Sequence, residues 1–260
     1  MATEKVLISL RDSICTITLN RPQNFNALDL ETAQGLSEAL AQCTGADVRV
    51  VVLRGSGKAF CAGGDLAHLT AGGDLSAALG TVIAALNRVV LQIRNLPKPV
   101  VAAVNGVTAG GGMGLALACD LRIVSDKAKF RQAYTAAGLV PDTGWSVFAP
   151  LMVGLSKASE LALLDPVLEA GEAQRLGIAN LVVGAEAFDE EVEKTARRLA
   201  SGPTLAFAEA KALMNGVVMP KLEALLENER LGMIRAGKTR DANEGVDAFL
   251  NKRTPVYTGS

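Results

Sequence analysis

Two glycine-bearing segments hold the residues best suited to chemistry in this 260-residue chain. The first is Lys58-Ala59-Phe60-Cys61-Ala62-Gly63-Gly64-Asp65-Leu66, and the second is Asn105-Gly106-Val107-Thr108-Ala109-Gly110-Gly111-Gly112-Met113-Gly114. Each follows an apolar run that reads as a buried strand, Val48 to Leu53 and Val100 to Val104. Ligands of α/β proteins gather at the carboxyl ends of strands. Glycine at such a place lets a ligand reach backbone N–H groups with no side chain in the way. The run Gly110 to Gly112 also opens a helical stretch, Met113 to Cys119, whose first turn offers free N–H donors and a partial positive charge. Read singly, each segment serves equally well as a plain turn joining a strand to a helix.

Rival chemistries fail on spacing. Gly57-Lys58 hints at a phosphate loop, but Ala59 stands where Ser or Thr is needed and Val52 where the first glycine belongs. Leu115 occupies the third glycine position of a dinucleotide fingerprint, and no G-x-S-x-G elbow occurs. The single histidine, His68, lies in a polar, Gly-rich stretch and reads as a solvent-exposed loop residue. Cys15, Cys43, Cys61 and Cys119 show no C-x-x-C spacing and sit in or near apolar runs, where free thiols behave as small hydrophobes. No metal site is expected. Asp142, in Pro141-Asp142-Thr143-Gly144, is good turn chemistry and reads on its own as a cap for the following helix.

The elements that must hold these segments follow from patterning. Val6, Ile8 and Leu10 alternate, Arg11-Asp12-Ser13 turns the chain, and Cys15, Ile17 and Leu19 alternate again, which predicts a hairpin. A helix is expected from Asp29, its N-cap, to Cys43. Leu121 to Val124 reads as a further strand, so the order β-β-α-β-α-β-α-β predicts an α/β fold with a largely parallel sheet. Helices are expected at Leu155 to Leu164, Ala170 to Leu176 and Asp189 to Ala200, with a short strand at Leu181 to Val183. Beyond Pro203 everything reads as helix: Leu205 to Asn215, Pro220 to Ile234 and Asn243 to Leu250. This gives a core over 1–200 and a helical segment over 201–260 that packs on the core or on another subunit.

Composition narrows the class further. Hydrophobic residues make up 49% of the chain and aromatics 4%, so a sizeable core must be built from Ala, Val, Leu and Ile. A net charge of -1 argues against non-specific nucleic-acid binding, which depends on a basic surface. No signal-peptide core opens the chain and no apolar run reads as long enough to cross a bilayer, so a cytoplasmic protein is expected.

Taken together, N-R-P-Q-x-x-N-A-L (Asn20 to Leu28), K-A-F-C-A-G-G-D-L, P-K-P-V-V-A-A-V-N-G-V-T-A-G-G-G (Pro97 to Gly112) and the closing E-G-V-D-A-F-L-N-K-R-T-P (Glu244 to Pro255) resemble the signature blocks of the crotonase (enoyl-CoA hydratase/isomerase) superfamily. The resemblance implies a spiral ββα core followed by a helical trimerisation segment, assembled as a homotrimer or a dimer of trimers. It implies a coenzyme A thioester as substrate, with no separate cofactor. The thioester oxygen would lie between the backbone amides of Gly64 and Gly111, and the coenzyme A moiety along Lys58, Ala62, Asp65 and Leu66, with Lys252 near its adenosine diphosphate end. Two preorganised donors stabilise an enolate, and one such donor is worth about 3 kcal/mol.

The same resemblance bears on the reaction. Hydratases of the family look to have one glutamate after the G-G-G run and one after F-x-Q-P, where this chain has Gly114 and Tyr134. Asp142 falls where some isomerases and the aryl-CoA dehalogenases of the superfamily look to have their aspartate. The overall likeness is greatest to ring-epoxyphenylacetyl-CoA and enoyl-CoA isomerases, which implies a single-carboxylate proton shuttle on Asp142; Tyr134 and Trp145 read either as acyl-pocket walls or as ordinary core aromatics. A hydratase is the alternative. So is a dehalogenase-like enzyme, although dehalogenases look to have Trp at the position of Tyr134. A coenzyme A ester-binding protein without catalysis is the alternative of another class.

Overall fold

The protein is described by a computed structural model, which covers residues 4–260. Alternating apolar residues give the expected hairpin of β1 (Val6–Arg11) and β2 (Ile14–Leu19), turned by Asp12 and Ser13 in the left-handed region. α1 (Leu30–Gln42) follows, capped by Asp29, whose carboxylate accepts the Thr32 N–H at 2.8 Å. Then come β3 (Val50–Gly55), β4 (Ala59–Cys61), α2 (Leu66–Thr70), α3 (Leu75–Asn95), β5 (Val100–Val104), β6 (Val107–Ala109), α4 (Gly111–Ala118), β7 (Leu121–Ser125) and β8 (Lys129–Arg131). The remainder is α5 (Trp145–Val153), α6 (Leu155–Leu164), β9 (Leu168–Glu169), α7 (Ala170–Arg175), β10 (Leu181–Val183), α8 (Phe188–Ala200), α9 (Thr204–Val218), α10 (Leu222–Ala236) and α11 (Arg240–Leu250).

Two sheets form, where the sequence pattern predicted one. The larger runs β1-β2-β3-β5-β7-β10 and is parallel except for the first hairpin. The smaller runs β4-β6-β8-β9, parallel through its first three strands. Each turn of chain therefore lays one strand in the large sheet, one in the small sheet, and then a helix, which is the ββα spiral. β10 matches the short strand expected at Leu181 to Val183, whereas the equally short β4 and β6 lie within segments that the sequence showed only as glycine-bearing turns.

Both faces of the large sheet are covered. Along β3, Val50 and Val52 point to one side, and Val51 and Leu53 to the other, as the two-residue period of a strand requires. The first side is closed by α8, which buries Phe188, Val192, Ala196 and Ala200, one residue per turn. The second packs against α1, α3 and α4. By length and composition alone α3 qualifies as a membrane span, contrary to expectation; here it is the central core helix, with Ile83, Val89, Val90 and Ile93 buried. All four cysteines are buried free thiols. The C-terminal helices reach back onto the core: Lys211 on α9 donates to Ile93 O at 2.7 Å and to Asp120 Oδ2 at 2.8 Å. On its other side α9 leaves Leu205, Leu213 and Val217 exposed.

Candidate active site

The small sheet sets the site. Its parallel strands β4, β6 and β8 end side by side, so the segments Ala62–Gly64, Gly110–Gly111 and Ala133–Tyr134 converge on one apolar cavity of about 100 Å³. The glycines thus follow the short strands β4 and β6, not the long strands from which the sequence reading placed them. Leu28 pairs with Gly64 in a parallel bridge: its N–H donates to Gly63 O at 2.7 Å, and its carbonyl accepts the Asp65 N–H at 2.9 Å. That pairing turns the Gly64 N–H to the opposite side, and no acceptor for it occurs among the described residues. Gly111 is the first residue of α4, so its N–H also has no intrahelical acceptor. The cavity therefore holds two free amides, one of them at the positive end of a helix.

Close backbone approach explains the glycines. At Gly63 the backbone has φ +97, and a Cβ there would lie 3.0 Å from Ala109 O on the neighbouring strand. At Gly112 a Cβ would overlap Cys61 O far inside van der Waals contact, so only glycine lets α4 start against β4. The N-R-P-Q-x-x-N block braces the same region. Arg21 Nη2 pairs with Asp65 Oδ2 at 2.7 Å, and buried Asn26 donates to Ala59 O at 2.8 Å.

Asp142 reaches the cavity from the loop before α5 and is 7% exposed. Its Oδ1 accepts the Tyr134 hydroxyl at 2.8 Å and the Thr143 hydroxyl at 2.7 Å. Its Oδ2 receives no hydrogen bond from the described residues and is the oxygen left for a substrate. A Cβ built on Gly111 would sit 3.5 Å from Oδ1, so the carboxylate lies directly beside one free amide. Burial pushes the acid up to about 6, against the lowering pull of the Thr143 and Tyr134 hydroxyls. That range suits a base at neutral pH. Thr143 is held at φ +54, costly for a β-branched residue, and marks stored backbone strain beside the carboxylate.

The same loop fills the place of a second carboxylate. A Cβ on Gly114 would lie 2.6 Å from Thr143 O and 2.9 Å from Thr143 Cβ, so no larger side chain fits there without displacing Thr143, the residue after Asp142. The other hydratase position is Tyr134, whose buried hydroxyl is spent on Asp142. Among the described residues, Asp142 is the only carboxylate lining the cavity.

Of the residues singled out by sequence, Ala62, Gly64, Leu66, Gly111, Tyr134 and Asp142 meet at the cavity. Four do not. Trp145 is the first residue of α5 and is buried in the core behind the loop, so it is not a wall of the cavity. Asp65 faces away from the cavity, capping α2 at the His68 N–H and holding Arg21. Lys58 is exposed in the turn before β4, and Lys252 is exposed beyond α11. His68 is exposed as expected, but on helix α2 and not in a loop. Two contributions were missed. Phe249 of α11 lines the cavity, and Glu229 of α10 lies buried behind it. The signal for Glu229 was its place on the stripe Leu222, Leu226, Glu229 and Met233, where a helix buries its apolar face.

A buried carboxylate beside two free amides is suited to proton transfer next to a carbonyl whose oxygen must carry charge. The class so defined is that of acyl-thioester enzymes with the crotonase fold. The chain belongs to the enoyl-CoA hydratase/isomerase family, whose pattern it matches over residues 9–260. It is 38% identical over 260 residues to a Rhodobacter capsulatus protein named "probable enoyl-CoA hydratase", covering 100% of both chains. It is 37% identical over 259 residues to the 1,2-epoxyphenylacetyl-CoA isomerase of Escherichia coli, covering 98% of this chain and 99% of that one. Among solved structures, an enoyl-CoA hydratase from Mycobacterium avium subsp. paratuberculosis superposes with a TM-score of 0.90 at 35% identity over 98% of each chain. Relatives of nearly equal identity thus carry hydratase and isomerase names, and the choice between the two reactions falls to the residues of the site.

Proposed function

We propose that this enzyme is an enoyl-CoA isomerase in which Asp142 is the one base. The single carboxylate on the cavity, with the space at Gly114 closed by Thr143, carries the reading. Water addition needs two groups to hold and protonate one water. A proton shift along the acyl chain needs one group that takes a proton and gives it back.

In this reading the thioester oxygen accepts the N–H groups of Gly64 and Gly111. Asp142 Oδ2 removes a proton from the α carbon of a β,γ-unsaturated thioester. The C–H electron pair forms the carbon–carbon double bond of a dienolate, whose negative oxygen the two amides hold. As that oxygen re-forms the carbonyl, the pair shifts through the dienolate to the γ carbon. The now-neutral acid returns the proton at the γ carbon. Leu79, Val82, Ile83 and Leu86 of α3, with Met233 of α10, make the cavity wall aliphatic, which suits an apolar acyl group. Asp142→Asn tests the assignment. Isomerisation should fall at least about a hundredfold, the low end for a general base. Affinity for acyl-CoA should change little, because binding rests on the backbone amides. Retained isomerase activity would overturn the proposal.

A further inference from the structure

Glu229 is a buried carboxylate that the shuttle above does not use. It comes from α10, far along the chain from Asp142, and it does not line the cavity. Its Oε2 accepts the Gly144 N–H at 2.8 Å, while its Oε1 accepts the Ser146 N–H at 2.9 Å and the Ser146 hydroxyl. These donors belong to the turn that begins at Asp142 and to the first turn of α5. Three bonds on one carboxylate therefore pin the strained Thr143 backbone and, with it, the carboxylate of Asp142.

We infer that Glu229 is a positioning residue for the proton transfer, fixing the Asp142 turn from the C-terminal helix and doing so more firmly when it is ionised. Hydrogen bonds to a charged acceptor are shorter and stronger than those to a neutral acid, so loss of its proton tightens the clamp. The added negative charge also makes Asp142 a stronger base during the step in which it takes a proton.

The charge environment lets that ionisation fall in the working range. Burial, joined by the charge of Asp142, pushes Glu229 up to about 7, against the lowering pull of its three donors. The other titratable group bearing on the pair is Tyr134, which burial, and after it the two carboxylates, hold in its neutral form. α4 and α5 carry no charged residue. On α10, Arg230 is paired with Glu227 and Arg235 is exposed; on α3, Arg88 is exposed and Arg94 is paired with Asp120. No cation among these neutralises Glu229.

The inference rests on Asp142 as the base, and the two fail separately. Glu229→Gln keeps the shape and stands for the protonated acid at every pH. In wild type, kcat/KM should rise first as Asp142 ionises and again as Glu229 does. In Glu229→Gln the second rise should be missing, so the ratio of wild-type to variant rates should grow about tenfold between pH 6 and pH 8, an energy equivalent of roughly 1.4 kcal/mol. Ser146→Ala, which removes one donor from the ionised acid, should move the second rise to higher pH. A constant ratio across that range, or a Ser146→Ala profile parallel to wild type, would reduce Glu229 to a structural cap and overturn the inference. Full activity in Asp142→Asn would overturn the underlying reading instead.

Discussion

Replacing Asp142 with Asn should make the protein more stable at pH 8 even as it removes the proposed base. Burial holds the acid at about 6 in the fold against 3.8 in water. The fold therefore favours the protonated form. The stability owed to this group is fully present below the unfolded value and is lost as pH rises through the folded one. Each pKa unit corresponds to about 1.4 kcal/mol, so ionising Asp142 in place costs roughly 3 kcal/mol at pH 8. Asparagine avoids that cost. Its Oδ1 can keep the Tyr134 and Thr143 hydrogen bonds, and its amide nitrogen takes the Oδ2 position that no protein donor occupies. Urea unfolding of both proteins at pH 8 and pH 5 reads the effect. The variant should be more stable at pH 8 by up to about 3 kcal/mol, and the gap should narrow by roughly 1.4 kcal/mol at pH 5, one unit below the folded pKa. Glu229 titrates in both proteins, but the variant lacks the Asp142 charge that raises it, so Glu229 ionises at less cost there and its contribution acts in the same direction, favouring the variant at pH 8. A variant no more stable than wild type at pH 8, or a gap that ignores pH, would refute the claim that the acid is strained by burial.

Other consequences concern the groups around that acid. Gly111→Pro should fold, because proline is tolerated at the first position of a helix, yet lose about a hundredfold or more in kcat through the missing donor. A near-normal rate in the folded variant would remove Gly111 from the oxyanion site. Tyr134→Phe takes away a hydrogen bond that lowers the Asp142 pKa, so the acid limb of kcat/KM should move to higher pH. An unmoved limb would mean that the Tyr134 hydroxyl does not bear on the base.

How far the sequence foretold this site depended on the length of each signal. The hairpin, α1 with its Asp29 cap, the strand at Val100 and every C-terminal helix were legible from alternation, period and caps. β4 and β6 were not, because Ala59–Cys61 and Val107–Ala109 read as parts of the glycine-bearing segments and not as strands of their own, and so the glycine segments were set on the wrong sheet. The free amides of Gly64 and Gly111 were foreseen only through the family resemblance; the bridge at Leu28 that turns one of them inward is a long-range pairing. Asp65 read as a ligand contact because it sits in the glycine block, yet Arg21 and the start of α2 claim its carboxylate. Trp145 read as a wall from its place beside Asp142, but the turn at Thr143 and Gly144 sends it into the core. Gly114 showed only that a carboxylate was missing. The structure adds that Thr143 leaves no room for one.

In the proposed reaction one carboxylate moves a proton and no water is added. Incubation of a β,γ-unsaturated acyl-CoA with the enzyme in deuterium oxide, followed by mass spectrometry and NMR of the products, tests it most directly. The expected product is an α,β-unsaturated thioester, with deuterium confined to the α and γ carbons and part of the product keeping the original proton. Formation of a β-hydroxyacyl-CoA at a rate rivalling isomerisation would contradict it.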